Sequence, residues 1–224
     1  MPTAYGRILR RPGALRFSVA GLLARFPMSM VGISSILAIQ DLYGSYSAAG
    51  AVSAANIVAA AVGAPLLARM VDAHGQARVM VPALVASSAS LLALAVAAQH
   101  RAALWSLIAL SALTGALSGS MGSLVRSRWT ALLESPDDIH TAFSLEAALD
   151  ETAFMIGPVL ATALCTTPAL PVTSGWIAAM VLQTGGGLWF LSQRATEPAP
   201  HPRQRRTARP GRGAVGRAQG PDAP

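Results

Sequence analysis

Residues 152–193 read TAFMIGPVLATALCTTPALPVTSGWIAAMVLQTGGGLWFLSQ, a run of 42 residues without a charged side chain. A helix that crosses the hydrocarbon core of a bilayer needs about 20 apolar residues, so this run is long enough for two crossings. Pro168 and Pro171 lie near its middle, where proline favours a turn over the interior of one long helix. The run therefore predicts two transmembrane helices joined by a short turn.

Four similar segments precede this run. Hydrophobic residues make up 53% of the chain and charged residues only 12%, against about 25% charged residues in an ordinary soluble domain. The first segment is longer than the apolar core of a secretory signal peptide, so we expect it to remain in the protein. The sequence predicts an all-α, polytopic membrane bundle of six transmembrane helices, at about 17–39, 48–71, 79–98, 102–125, 143–167 and 172–192.

All 17 basic residues are arginine; seven of them lie in the last 31 residues, and most of the others lie at the ends of these segments. They occur in a basic N-terminal arm (1–16), beside the loops after the second and fourth segments, and in a Pro/Arg/Gly-rich tail (193–224). The three loops on the opposite side contain one arginine, Arg101. Basic loops face the cytoplasm, which predicts an inner (plasma) membrane protein with both termini cytoplasmic. The tail is expected to be disordered.

Other functional classes find little support in the residues. The chain lacks the folded basic face with aromatic residues that binds nucleic acid. Its four histidines are scattered through loops and tail without metal-ligand spacing, and no phosphate-binding loop is present. Cys165, the single cysteine, is expected to be a packing residue. We expect no enzyme activity, no cofactor and no metal.

The loop after the second segment, residues 68–78, reads ARMVDAHGQAR. Asp72 and Gly75 resemble, in identity, spacing and location, the signature of the major facilitator superfamily: Gly, three residues, Asp, a basic residue, any residue, Gly and two basic residues. Ala68, Ala73 and Gln76-Ala77 depart from it, and Arg78 partly replaces the final basic pair. The resemblance implies a cytoplasmic gating loop, formed by Asp72, Gly75 and Arg78, that clamps the two halves of a transporter.

Two further blocks, GSLVRSRWTALL (122–133) and FSLEAALDETAFMIGP (143–158), resemble a branch of the same superfamily that is common in high-GC bacteria. The resemblance covers residues 15–193, about half of a family member. It implies the N-terminal six-helix half, built from two three-helix repeats, of a transporter that moves a small solute by alternating access. Proton-coupled efflux is the expected mode. Gly157 and Pro158 resemble the helix kink of the antiporter branch.

Glu146 and Asp150 are four residues apart and therefore share one face of a helix. The same face continues through small residues that allow a second helix to approach. In one interpretation the two acids lie at the cytoplasmic mouth of the fifth segment and pair with Arg126 or Arg128. In another, one acid loads a proton or receives a cationic substrate, because ionisable groups at membrane depth are commonly functional. Simple exposure of the acids to solvent is the remaining alternative.

Arg25 lies inside the first predicted helix. Its side chain could extend to the cytoplasmic interface, or face a central cavity and pair with Glu146, Asp150 or an anionic substrate. The candidates for a substrate and proton pathway are therefore Arg25, Arg126, Arg128, Glu146 and Asp150.

The predicted partners are the lipid bilayer, a small solute and protons. Alternating access moves one half of a transporter against the other. A homodimer or a missing C-terminal half is therefore expected to complete the transporter. The competing hypothesis is a truncated product, either inactive in transport or acting as a membrane-bound interaction protein.

Overall fold

The computed structural model describes residues 4–200, and all regular secondary structure within them is helical. The all-α fold class is confirmed. The helices are α1 (Ala4–Leu9), α2 (Ala14–Tyr43), α3 (Tyr46–His74), α4 (Gln76–Gln99), α5 (Leu104–Ser118), α6 (Met121–Leu132), α7 (Pro136–Thr166) and α8 (Ser174–Ser192), and a 3₁₀ turn (Arg194–Thr196) follows.

Within residues 4–200, five segments are long and apolar enough to cross a membrane: α2, α3, α4, α5 together with α6, and α7. The sixth predicted crossing corresponds to α8, which has 19 residues and is not among these five. Its polarity explains the difference, because it carries Gln183 and three consecutive glycines from Gly185 to Gly187. Gln183 is buried and donates a hydrogen bond to Ser87 of α4 at 2.9 Å.

The fourth predicted segment is not one continuous helix. It breaks at Gly119, whose φ of +65° belongs to the left-handed region that glycine adopts readily. Beyond the break, α6 continues to Leu132, past the predicted end at residue 125. The structure therefore presents Arg126 and Arg128 on a helix rather than at the start of a loop.

The fifth predicted segment also begins earlier than expected. Pro136 occupies the first turn of α7, where a missing N–H costs nothing, and Asp137 and Asp138 suit the positive end of the helix dipole. Glu146 and Asp150 consequently lie ten and fourteen residues after the start of a 31-residue helix. At 1.5 Å per residue, Asp150 is about 21 Å along a helix of about 46 Å. Both acids therefore lie inside α7 rather than in its first two turns.

The two ends of the chain are more structured than predicted. Within the basic N-terminal arm, residues 4–9 form α1, whose Ile8 is buried. Residues 193–197 pack against the bundle, so the predicted tail does not become separate from the fold at residue 193. The remainder of that tail, residues 201–224, lies outside the described residues.

Helix packing relates two sets of three: α2, α3 and α4 form the first, and α5–α6, α7 and α8 form the second. The middle helix of each set packs on the first helix of the other, giving the pairs α3–α5 and α7–α2. The third helix of each set packs on the first helix of the other set, giving the pairs α4–α5 and α8–α2. The two third helices, α4 and α8, also pack on each other. This exchange is the pattern expected of a pseudo-two-fold repeat.

Glycines permit the closest of these approaches. A side chain at Gly63 of α3 would collide with the backbone of Ala116 on α5, and one at Gly115 of α5 would collide with the backbone of Asn56 on α3. At the equivalent pair, Gly157 of α7 lies against Ser29 of α2. The face of small residues predicted on α7 thus packs against α2, with Ala153, Gly157 and Ala161 all buried.

Candidate functional site

Glu146 is the centre of a buried cluster between α2, α6 and α7. Its side chain is completely inaccessible to solvent, and its Oε2 lies 2.5 Å from Nη2 of Arg25 on α2. Its Oε1 accepts hydrogen bonds from the Ser18 hydroxyl at 2.7 Å and from Nε1 of Trp129 at 2.8 Å. Both oxygens are therefore occupied, as a buried carboxylate requires.

The indole of Trp129 is itself held by packing. Its ring meets the ring of Phe17 edge to face, with centroids 4.8 Å apart, and both side chains are fully buried. The Nε1–H of Trp129 therefore has a fixed direction toward Glu146. In turn, Glu146 holds Arg25 in place.

Asp150 lies one turn along the same face of α7 and bridges two arginines. Its Oδ1 is 3.2 Å from Nε of Arg25, and its Oδ2 is 3.0 Å from Nη2 of Arg126 on α6. The Asp150 side chain is 24% exposed and that of Arg126 is 38% exposed, whereas Arg25 is only 6% exposed. The cluster thus combines a fixed pair, Arg25 and Glu146, with an accessible pair, Arg126 and Asp150.

Arg128 is not part of this cluster, although the sequence groups it with Arg126. Its side chain points to the other side of α6, where Nε donates to Gln76 at 2.9 Å and Nη1 donates to the Gln193 carbonyl at 3.0 Å and to Thr196 at 2.9 Å. Its guanidinium also stacks on the ring of Phe190 at 3.8 Å. Neither Glu146 nor Asp150 accepts a hydrogen bond from Arg128 in the described part of the chain. These contacts join α6 to the start of α4 and to the segment after α8.

Glu197 extends the same set of contacts. Its Oε1 accepts a hydrogen bond from the backbone amide of Ala77 at 2.9 Å, and its Oε2 is 3.2 Å from Nη1 of Arg194. A carboxylate at the first turn of α4 satisfies a free amide and complements the helix dipole. We call residues 193–197 the strap, because they tie the α3–α4 turn to α6 and α8.

The predicted gating loop forms the turn between α3 and α4. Gly75 has a φ of +91° and its amide caps α3 by donating to the Val71 carbonyl, while the side chains of Asp72 and Arg78 are exposed. Asp72 also lines a cavity of about 220 Å³ beside residues 198–200. No side-chain ion pair joins Asp72 or Arg78 to another residue between positions 4 and 200.

The Gly157–Pro158 pair lies inside α7 at its contact with α2. Pro158 cannot donate a backbone hydrogen bond, which makes this turn of the helix easier to bend. Nearby, the hydroxyl of Ser29 donates to the Ala153 carbonyl at 3.0 Å, so that α2 and α7 are joined one turn before the proline.

Sequence reasoning missed several residues that hold the cluster and the strap. Ser18 and Trp129 carried no periodic signal that related them to Glu146, because they lie 128 and 17 residues away in the chain. Gln76 was interpreted only as a departure from the loop signature, yet it is buried and bonded to Arg128 and to the Leu124 carbonyl. The position of Glu197 in a polar tail concealed its role entirely.

Comparison with known proteins gives one result that bears on function. The family described as Major Facilitator Superfamily matches residues 17–219, most of the chain. Searches of curated proteins and of solved structures find no match. The family is one of membrane transporters, not of enzymes, and its match agrees with the apolar helices, the paired three-helix sets and the loop containing Asp72 and Gly75. This multi-pass membrane protein belongs to the major facilitator superfamily.

Proposed function

We propose that this chain transports a small solute across the plasma membrane by alternating access, and that protons bound at Asp150 are coupled to its outward movement. The observation that carries the proposal is the bridge of Asp150 between a fixed and an accessible arginine. Ionisable groups this far along a membrane helix are costly and commonly serve function. Family membership supports the transporter class.

The coupling follows from the contacts of Asp150. As a carboxylate, it holds Arg126 of α6 beside Arg25 of α2. A proton on Asp150 removes that charge and weakens its attraction to both guanidiniums. Arg126, which has Asp150 as its ion-pair partner, is then released, whereas Arg25 stays with Glu146. One proton therefore changes the connection between α6 and α7.

The gate of this transporter is proposed to be the α3–α4 turn, with Asp72, Gly75 and Arg78. The exposed side chains of Asp72 and Arg78 are available to a facing half, while the strap holds the turn to its own half. We further propose that both termini and this turn are cytoplasmic.

Exchange of solute for protons is a second mode, favoured by the Gly157–Pro158 pair. A flexible turn of α7 at its contact with α2 allows the helix to bend next to the cluster. In this mode solute and proton compete for Asp150, whereas in cotransport they bind together.

A second half is required for alternating access. We propose that a second copy of this chain, or further transporter sequence, faces the exposed apolar sides of α3 and α7. Large side chains are exposed on both helices, namely Ile57, Val58, Val62, Met155, Ile156 and Val159. The same faces support the competing proposal of a membrane-bound interaction protein without transport activity.

Reconstitution into proteoliposomes tests the function. Proton movement is followed by a pH-sensitive dye inside the vesicles while gradients of small acids, amines and neutral solutes are imposed. Solute-dependent proton flux is expected for the wild type, and its loss is expected for Asp150→Asn. Glu151→Gln is the matched control, since Glu151 is the exposed neighbour on the same helix. Equal flux in wild type and Asp150→Asn would remove Asp150 from the mechanism.

A further inference from the structure

The guanidinium of Arg25 has donors that the protein does not use. Its Nη2 binds Glu146, but Nε and Nη1 have no hydrogen-bond acceptor in the described structure, although both are buried. Nε has the Asp150 carboxylate at 3.2 Å as an ion-pair partner, and Nη1 makes no hydrogen bond within the described residues. A buried donor without an acceptor costs free energy and calls for an explanation.

The unused nitrogen lies against the surface of α6 at Gly122. A Cβ added to Gly122 of α6 would be 3.8 Å from Nη1 of Arg25 and 3.3 Å from Nη1 of Arg126. The Nη1 of Arg126 makes no hydrogen bond to other described residues, since Arg126 reaches Asp150 through Nη2. Two cationic donor groups therefore converge on the surface of Gly122.

The ligand that fits this arrangement is an acceptor with negative charge. Glu146 is already occupied by three donors, and Asp150 has a guanidinium at each oxygen. A cationic ligand would have to break these pairs and would leave the donors at Gly122 unused. Carboxylates pair with guanidiniums through two parallel hydrogen bonds, and Asp150 already shows that a carboxylate fits between Arg25 and Arg126.

We propose that the solute carries a carboxylate, which binds Nη1 of Arg25 and Nη1 of Arg126 over Gly122. This inference rests on the proposed function for transport, and it names the substrate class of the same site. Arg126 admits the solute, because its side chain is the accessible one of the two arginines. Two arginines and two acids make the cluster neutral without a ligand, so a bound carboxylate adds one negative charge that a proton on Asp150 balances.

Binding is tested on the full-length protein in detergent with benzoate, benzamide and benzylamine, three probes of similar shape that are anionic, neutral and cationic. Thermal unfolding and titration calorimetry measure affinity. Benzoate is expected to bind, and benzamide and benzylamine are not. Inorganic phosphate is tested as well. If phosphate binds and benzoate does not, the site takes an anion other than a carboxylate, and the proposal is overturned.

Two variants locate the site. Gly122→Val places a branched side chain against both guanidiniums and Arg126→Gln removes one of them, so each is expected to weaken benzoate binding about tenfold or more. Gly185→Val is the control for adding a branched side chain to a helix, since nothing lies within 4 Å of that position. Circular dichroism checks that each variant is folded. Unchanged benzoate affinity in both site variants overturns the proposed location.

Failure of the substrate class and failure of transport are distinguishable. Solute-dependent proton flux that requires Asp150, together with no binding of any carboxylate, overturns the substrate class alone. Specific benzoate binding without flux in proteoliposomes overturns the transport function but supports the site. Benzylamine binding that is lost in Asp150→Asn overturns the carboxylate proposal in favour of a cationic solute.

Discussion

Arg25 of α2 and Glu146 of α7 form an ion pair with 2.5 Å between Nη2 and Oε2, and both side chains are more than nine-tenths buried. The two residues are 121 positions apart in the chain, and their pair joins α2 to α7. A buried charge without its partner is severely destabilising. The folded protein therefore needs both residues of the pair. Asp150 and Arg126 are arranged around this fixed pair.

Removal of Glu146 should therefore destabilise the fold. For Glu146→Ala we expect a loss of about 3–5 kcal/mol in the free energy of unfolding, since Arg25 remains buried with only the partly exposed carboxylate of Asp150 as its ion-pair partner. Unfolding in mixed detergent, followed by circular dichroism, measures the change. Glu151→Ala should have almost no effect, because Glu151 is exposed. The double variant Arg25→Met with Glu146→Leu should recover only part of the loss, because the Ser18 and Trp129 donors still lack their acceptor. No recovery at all would contradict an electrostatic origin.

The Trp129 indole should contribute to the stability of the fold through its N–H as well as through its ring. Trp129→Phe keeps an aromatic ring near Phe17 but removes the donor to Glu146, and we expect a cost of about 1–3 kcal/mol. Trp105→Phe is the control, because Trp105 is 74% exposed. Equal unfolding temperatures for the two variants would show that the hydrogen bond to Glu146 contributes nothing.

The α3–α5 contact should be intolerant of a single added methyl group at its closest point. Gly63→Ala would place Cβ against the Ala116 backbone, which forces the two helices apart at a cost of about 1–3 kcal/mol. Gly50→Ala, in the same helix but facing open space, should be neutral or stabilise by up to about 1 kcal/mol. A comparison of the two unfolding curves is the measurement. Similar effects of both substitutions would disprove the close approach.

The strap should protect the start of α4. Glu197→Ala removes the acceptor of the Ala77 amide, so hydrogen exchange at that amide is expected to accelerate roughly 10- to 100-fold. Exchange is measured by mass spectrometry on peptides that cover residues 75–80. Glu134→Ala makes the same charge change at an exposed position and should leave these peptides unchanged. No acceleration in Glu197→Ala would mean that the cap does not form in the membrane.

Labelling of single cysteines tests the proposed topology. In a Cys165→Ala background, Arg101→Cys reports on the loop between α4 and α5, and Glu134→Cys on the loop between α6 and α7. A membrane-impermeant maleimide should label position 101 in intact cells and position 134 only after permeabilisation, because the side of the protein with more arginine is retained in the cytoplasm. The reverse pattern would invert the proposed orientation.

Much of the fold was readable from local pattern. Apolar runs predicted the membrane helices, and the prolines at 168 and 171 predicted the turn before α8, because each signal depends only on neighbouring residues. The roles proposed for the cluster and the gating loop stay predictions. Helix ends were predicted less well: Gly119 breaks a run that hydropathy alone joins, and Pro136 starts α7 outside the apolar stretch.

By itself, the sequence determined the class of this protein: apolar segments long enough for a bilayer, arginines at their ends, and a spacing that puts Glu146 and Asp150 on one helix face. Only the tertiary structure decided which partners those acids have. Arg126 and Arg128 are two residues apart on a helix, about 200° around its axis, so they necessarily point to different neighbours. Which of them meets Asp150, and that Arg25 lies between the acids, depends on how α2, α6 and α7 pack, and no local pattern encodes that.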